Sequence, residues 1–339
     1  MKGKLCTLVV VCSAPFVMAQ NLDDGATASW NEIYNTTIND SDFQSVSDFN
    51  TANQNETGTF NLSGGAFQAT AWGQATALTE LKAFAHTAIT TTGTGLTAGP
   101  DRINSAASAF IGEKWVTSSA TLENGDTFSS VVDINWDGSL VVNVPGHNPN
   151  LGVPNFNEVG VSVDVSVYQI NDQEEFGEPL PVFSYVSNSL VLRADGTSFG
   201  TTDFVDAASV FGVSVDVFDP TALDPYSPIG SQDLVLDVQA TAGLPNGAVG
   251  FDIDLGGELE FTAIMGQSYI VNYGLSVYSN VTGALGSATA DFTNTGSVSL
   301  LPESPGTGTF AIIPEPGSLT LAGLCVLGGL VACLRTRRK

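Results

Sequence analysis

Val159–Val167 reads VGVSVDVSV, with valine at every odd position and Gly160, Ser162, Asp164 and Ser166 between them. Successive side chains of a strand point to opposite faces, so this stretch buries one face and wets the other. The same period of two recurs in Val213–Phe218 (VSVDVF), Leu234–Val238 (LVLDV) and Tyr269–Tyr278 (YIVNYGLSVY). Between such runs lie Gly, Asn, Asp and Pro, the residues of turns. Many short strands between turn signals predict an all-β fold. Its expected form is an antiparallel β-sandwich, jelly-roll or Ig-like, over residues 59–301, with two sub-sheets or subdomains allowed.

Residues 20–58 are polar, and their aromatics Trp30, Tyr34, Phe43 and Phe49 suggest an extended, partly packed leader with one strand, a disordered stretch being the alternative. Residues 302–313 read as a linker. Leu78, Leu81 and Ala85 within Thr76–Ala88 are spaced as on a helix face. Phe251, Ile253 and Leu255 alternate up to Gly256-Gly257, and Leu259 and Phe261 follow. A three-residue loop there would pair Leu255 with Leu259 and keep the apolar face intact, setting Asp254 opposite Glu260.

Charge is distributed unevenly. From Gln20 to Ile313 there are 34 acidic residues against 4 basic ones, a net of −30, while Lys2, Lys4, Arg335, Arg337, Arg338 and Lys339 sit at the ends. Such a body repels nucleic-acid backbones and anionic headgroups, so no nucleic-acid partner is expected. It favours solubility and delocalised attraction of cations. Cys6, Cys12, Cys325 and Cys333 lie in the apolar ends, and the body has no cysteine. Disulfides, thiolate metal sites and cysteine nucleophiles are thereby excluded from the body.

Met1–Ala19 has the order of a secretory signal. Lys2 and Lys4 precede an apolar Leu5–Val11, and Val17-Met18-Ala19 offers cleavage after Ala19. Signal peptidase is the implied partner. At the other end, Pro314-Glu315-Pro316 leads into Ser318–Leu334, 17 residues without a charge, and then into Arg335, Arg337, Arg338 and Lys339. Seventeen residues of helix span roughly 25 Å, the short limit for a bilayer core. The basic cluster orients that helix (residues 318–334) with its end (335–339) in the cytoplasm and the body outside.

In order, spacing and position, residues 314–339 resemble the PEP-CTERM sorting signal. The resemblance implies handling by a transpeptidase-like exosortase in the membrane and an association with exopolysaccharide-rich envelopes. The body is similar to other sorted ectodomains at Leu78–Thr90, Ala106–Ser119, Thr127–Val142 and Tyr278–Leu301. That similarity implies strand, and no helix, across Thr76–Ala88. It implies no chemistry.

Motifs for chemistry are few. Asp133-Ile134-Asn135-Trp136-Asp137-Gly138 begins like a calcium loop, with oxygen ligands from Asp133, Asn135 and Asp137 and a glycine for the bend. Val144 stands where the bidentate glutamate belongs, so a hairpin turning at Asp137-Gly138 competes with calcium, the one cofactor the residues allow. The histidines are His86 and His147 alone. Glu174, Glu175 and Glu178 sit in a polar loop. Trp30, Trp72, Trp115 and Trp136 are core residues or a sugar-stacking platform. No H-E-x-x-H and no P-loop is present. The expectation is a non-enzymatic envelope or matrix protein, passing through a single-pass membrane state to the cell envelope or the exterior. A carbohydrate-binding module acting in extracellular polysaccharide is the alternative, and a glycan-active enzyme the third reading.

Overall fold

The computed structural model describes residues 25–34, 37–47, 51–59, 65–76, 80–91, 102–146, 156–170, 179–186, 190–194, 199–201, 209–245, 247–282, 285–302 and 309–312. All regular structure among them is β. In chain order the strands are β1 (Gly25–Tyr34), β2 (Thr37–Ser47), β3 (Thr51–Thr59), β4 (Gly65–Thr76), β5 (Glu80–Thr91) and β6 (Arg102–Ser118). Next come β7 (Thr127–Gly146), β8 (Phe156–Ile170), β9 (Leu180–Val186), β10 (Leu190–Ala194), β11 (Phe199–Thr201) and β12 (Ser209–Phe218). β13 (Pro228–Ala240), β14 (Ala248–Ile264), β15 (Ser268–Thr282), β16 (Leu285–Pro302) and β17 (Thr309–Ile312) complete the series.

The recorded strand pairings are antiparallel, and they trace two runs. The first is β2-β1-β6-β15-β8, with β17 beside β1 on the edge of β6, and β9 and β10 sharing the far edge of β8. The second is β3-β4-β5-β16-β7-β14-β13-β12. A short contact between β9 and β12, Asp216↔Ser184 and Val217↔Phe183, connects them. Their apolar faces meet. Val161, Val163 and Leu190 of the first run and Trp136, Leu236, Ile253 and Phe292 of the second line one small internal cavity.

The valines that opened the reading behave as the alternation requires: Val159, Val161, Val163, Val165 and Val167 are all buried. Each buried aliphatic side chain contributes about 1.5–3 kcal/mol, so β8 alone is a substantial part of the core. The interior is not uniform. In β1, β4, β5 and β6 many of the inward residues are small: Ala26, Ala28, Ala69, Ala71, Ala83, Ala85, Ala107 and Ala109. Backbones approach closely there, and a Cβ on Gly73 would lie 2.5 Å from the Ser108 carbonyl oxygen. Buried hydroxyls are satisfied across this thin half. Thr87 Oγ1 and Ser105 Oγ each lie 2.8 Å from Ser279 Oγ, and Ser105 donates to the His86 carbonyl at 3.0 Å.

Four expectations need correction. First, β7 passes straight through Asp137-Gly138, with Val132, Ile134, Trp136, Leu140 and Val142 all buried, so the hairpin does not form. The Phe292 ring occupies the place a Cβ on Gly138 would take, and the Trp136 ring does the same at Gly296. These glycines let an aromatic ring lie flat against a neighbouring strand; they do not turn the chain. Second, β14 runs through Gly256-Gly257. Leu255 pairs with Trp136 and Leu236, and Asp254 faces Asp137 and Asp237 where Glu260 was expected. Third, the leader contributes three strands, β1, β2 and β3, and Trp30 belongs to the core. The strand that the resemblance implied within Thr76–Ala88, against the helical spacing, needs no correction: β5 buries Leu81, Ala83, Ala85, Thr87 and Ile89, a period of two. Fourth, the linker contributes β17, which pairs with β6 at Ser118–Trp115.

Candidate functional site

The sorting residues Pro314, Glu315 and Pro316, the basic Arg335, Arg337, Arg338 and Lys339, and the cleavage residue Ala19 lie outside the described residues, as do His147, Glu174, Glu175 and Glu178. Asp133, Asn135 and Asp137 stand at alternate positions of β7, on its outward face. An extended strand sets such side chains about 7 Å apart and parallel. Calcium needs oxygens converging from a curved loop. Among the described residues no group of three or more His, Cys, Asp or Glu side chains is placed to hold a metal ion.

The four tryptophans do not form one platform. Trp30, Trp115 and Trp136 are buried, and Trp72 is half-buried on the outer face of β4. His86 lies on the outer face of β5, its Nδ1 2.8 Å from Thr289 Oγ1. Burial lowers its pKa below 6.5. Gly196-Thr197-Ser198-Phe199-Gly200 spells G-x-S-x-G, the nucleophile-elbow pattern. That elbow needs a strand turning into a helix. Gly196, Thr197 and Ser198 lie outside the described residues, and Phe199 and Gly200 belong to β11.

A groove that the sequence did not reveal lies on the outer face of the second run, across β13, β14, β7 and β16. It has a volume of about 440 Å³, and Asp137, Asp237, Asp252, Asp254 and Asp291 line it. Strand register builds it. Asp237, Asp254 and Asp137 face one another in one row, and Gln239, Asp252, Ser139 and Asp291 form the next. Like charges in direct opposition are unfavourable, but here they face solvent and neighbouring donors moderate them. Asn294 Nδ2 donates to Asp137 at 2.7 Å, Thr241 Oγ1 to Asp252 at 2.9 Å, and Gln239 Nε2 to Asp237 at 2.9 Å. The Thr293 hydroxyl and amide both donate to Asp291, at 2.6 and 3.1 Å. Among the described residues no lysine or arginine lines the groove.

The second row does not stop at β16. Asp291 faces Phe84 of β5, and Phe84 faces Trp72 of β4, both half-buried on the same outer surface. Phe84 stacks with His86 at a centroid distance of 6.4 Å. An aromatic strip thus adjoins a carboxylate and amide groove. Each of these aspartates occupies an outward phase of its strand, a signal that was legible. Which strands are neighbours was not.

No curated protein matches the chain. Among solved structures, the infectious bursal disease virus Gx strain is similar at 13% identity over 91% of this chain and 74% of that one, with a TM-score of 0.10. The Gt strain of the same virus gives 13% identity, 88% and 69% coverage, and a TM-score of 0.08. Scores this low carry no argument about fold. The family comparison is of another kind, because it falls on the segment with Pro-Glu-Pro, the apolar run and the basic end. Residues 313–339 match the model of the PEP-CTERM protein-sorting motif, and the chain therefore carries that sorting signal.

Proposed function

We propose that this protein is a non-enzymatic component of the cell envelope or extracellular matrix, delivered by its two ends and acting through its body. The observation that carries this reading is the sorting motif at residues 313–339. Met1–Ala19 directs export, Ser318–Leu334 holds the chain in the membrane with the body outside, and Pro314-Glu315-Pro316 presents it to an exosortase. The membrane state is an intermediate, and the acidic body is what remains outside. We read that body as a two-layer β-sandwich, because apolar faces of the two strand runs share a cavity and buried hydroxyls bond across them. Its net charge of −30 keeps it soluble.

Replacing Pro314-Glu315-Pro316 by Ala-Ala-Ala tests the sorting step in a host that has the sorting enzyme. Export continues and full-length precursor accumulates in the membrane fraction. Processing at the wild-type rate would contradict the proposal.

A further inference from the structure

We propose that the outer face of β4-β5-β16-β7-β14-β13 binds a glycan chain bearing free amino groups. It rests on the envelope reading only for where the protein would meet such a polymer. The row Trp72–Phe84–Asp291–Ser139–Asp252–Gln239 crosses six neighbouring strands in register. At the usual strand spacing it is about 24 Å long, room for several sugar rings.

Aspartates alone would attract any cation. The aromatic strip is a separate feature of the same surface, and it selects a ring. Trp72 and Phe84 keep part of their surface open on an otherwise polar face, and aromatic rings pair an apolar face with a polar surrounding, as a pyranose does. Past Asp291 the row meets hydroxyl, carboxylate and amide groups, which accept and donate hydrogen bonds as sugar hydroxyls require. Charge then decides among glycans. No lysine or arginine among the described residues lines the groove, and Lys82, beside the strip, is 3.6 Å from Glu80. Anionic polysaccharides are repelled, neutral ones gain hydrogen bonds from the carboxylates but no charge pairing, and ammonium groups complement the Asp237–Asp254–Asp137 row.

Titration of the full chain in detergent with a glucosamine hexamer tests this, alongside the N-acetylated hexamer, hexalysine and calcium chloride. The glucosamine hexamer binds, and the N-acetylated hexamer binds at least about tenfold more weakly. Trp72→Ala and the double variant Asp137→Asn/Asp254→Asn each weaken the hexamer about tenfold, while Trp72→Ala leaves hexalysine unaffected. If Trp72→Ala fails to fold, Phe84→Leu takes its place. No binding of the hexamer, equal binding of the N-acetylated form, or indifference to both aromatic substitutions would overturn the proposal. So would calcium competing at equal concentration, which would make the groove a metal site. This binding is measured in vitro, so its failure leaves the sorting reading standing, and a failure of sorting leaves this standing.

Discussion

His86 is neutral at pH 7 because burial opposes its charge, while its Nδ1 is bonded to Thr289. Its folded pKa lies below the unfolded value of 6.5. The unfolded chain therefore takes up the proton first, and stability present above about pH 6.5 is lost as pH falls toward the folded pKa. Melting temperatures between pH 7.5 and 5 should fall less steeply for His86→Gln than for wild type; parallel curves would show that His86 does not contribute. Tyr273 is a second buried titratable group, its pKa raised by burial and by the charge of Glu113. Gly138 is constrained differently. A methyl there overlaps the Phe292 ring, so Gly138→Ala should cost about 1–3 kcal/mol by overpacking. Gly138→Ala/Phe292→Leu should regain part of that, and an unchanged denaturation midpoint in the single variant would refute the contact.

At the level of elements, β7 and β14 are where local signals and tertiary structure disagree. Asp137-Gly138 and Gly256-Gly257 are strong turn signals by composition, yet both pairs lie inside long strands. The deciding information was present: buried positions keep the same phase across each pair, from Trp136 to Leu140 and from Leu255 to Leu259. A loop resets the phase only by coincidence, whereas a continuous strand preserves it. The helix spacing of Leu78, Leu81 and Ala85 failed because two of those residues, Leu81 and Ala85, also fit a period of two. The strands within residues 25–59 were hidden by polar composition; in the edge strand β2, residues 40–46 are exposed or half-buried. Amide exchange separates the two readings of β7 and β14. Gly138 and Gly257 should be protected to nearly the same degree as residues three positions away, and rapid exchange confined to these glycines would restore the hairpins.

Taken whole, the molecule carries its sorting signal outside the described strands and its acidic groove on an outer sheet face. The sorting signal was legible because order alone defines it: Pro-Glu-Pro, then an apolar run, then a basic end. The groove was not, because Asp237, Asp254 and Asp137 come from three strands that only folding brings together. With no cysteine in the body, stability rests on burial and pairing, which the alternating strands supply. The central claim is that the two ends are delivery devices and the acidic body is the product. Intact mass of the protein recovered from the envelope of a host with the sorting system measures this directly. The account predicts a chain beginning at Gln20 and lacking Arg335–Lys339; a mass that retains Met1–Ala19 or the basic end would contradict it.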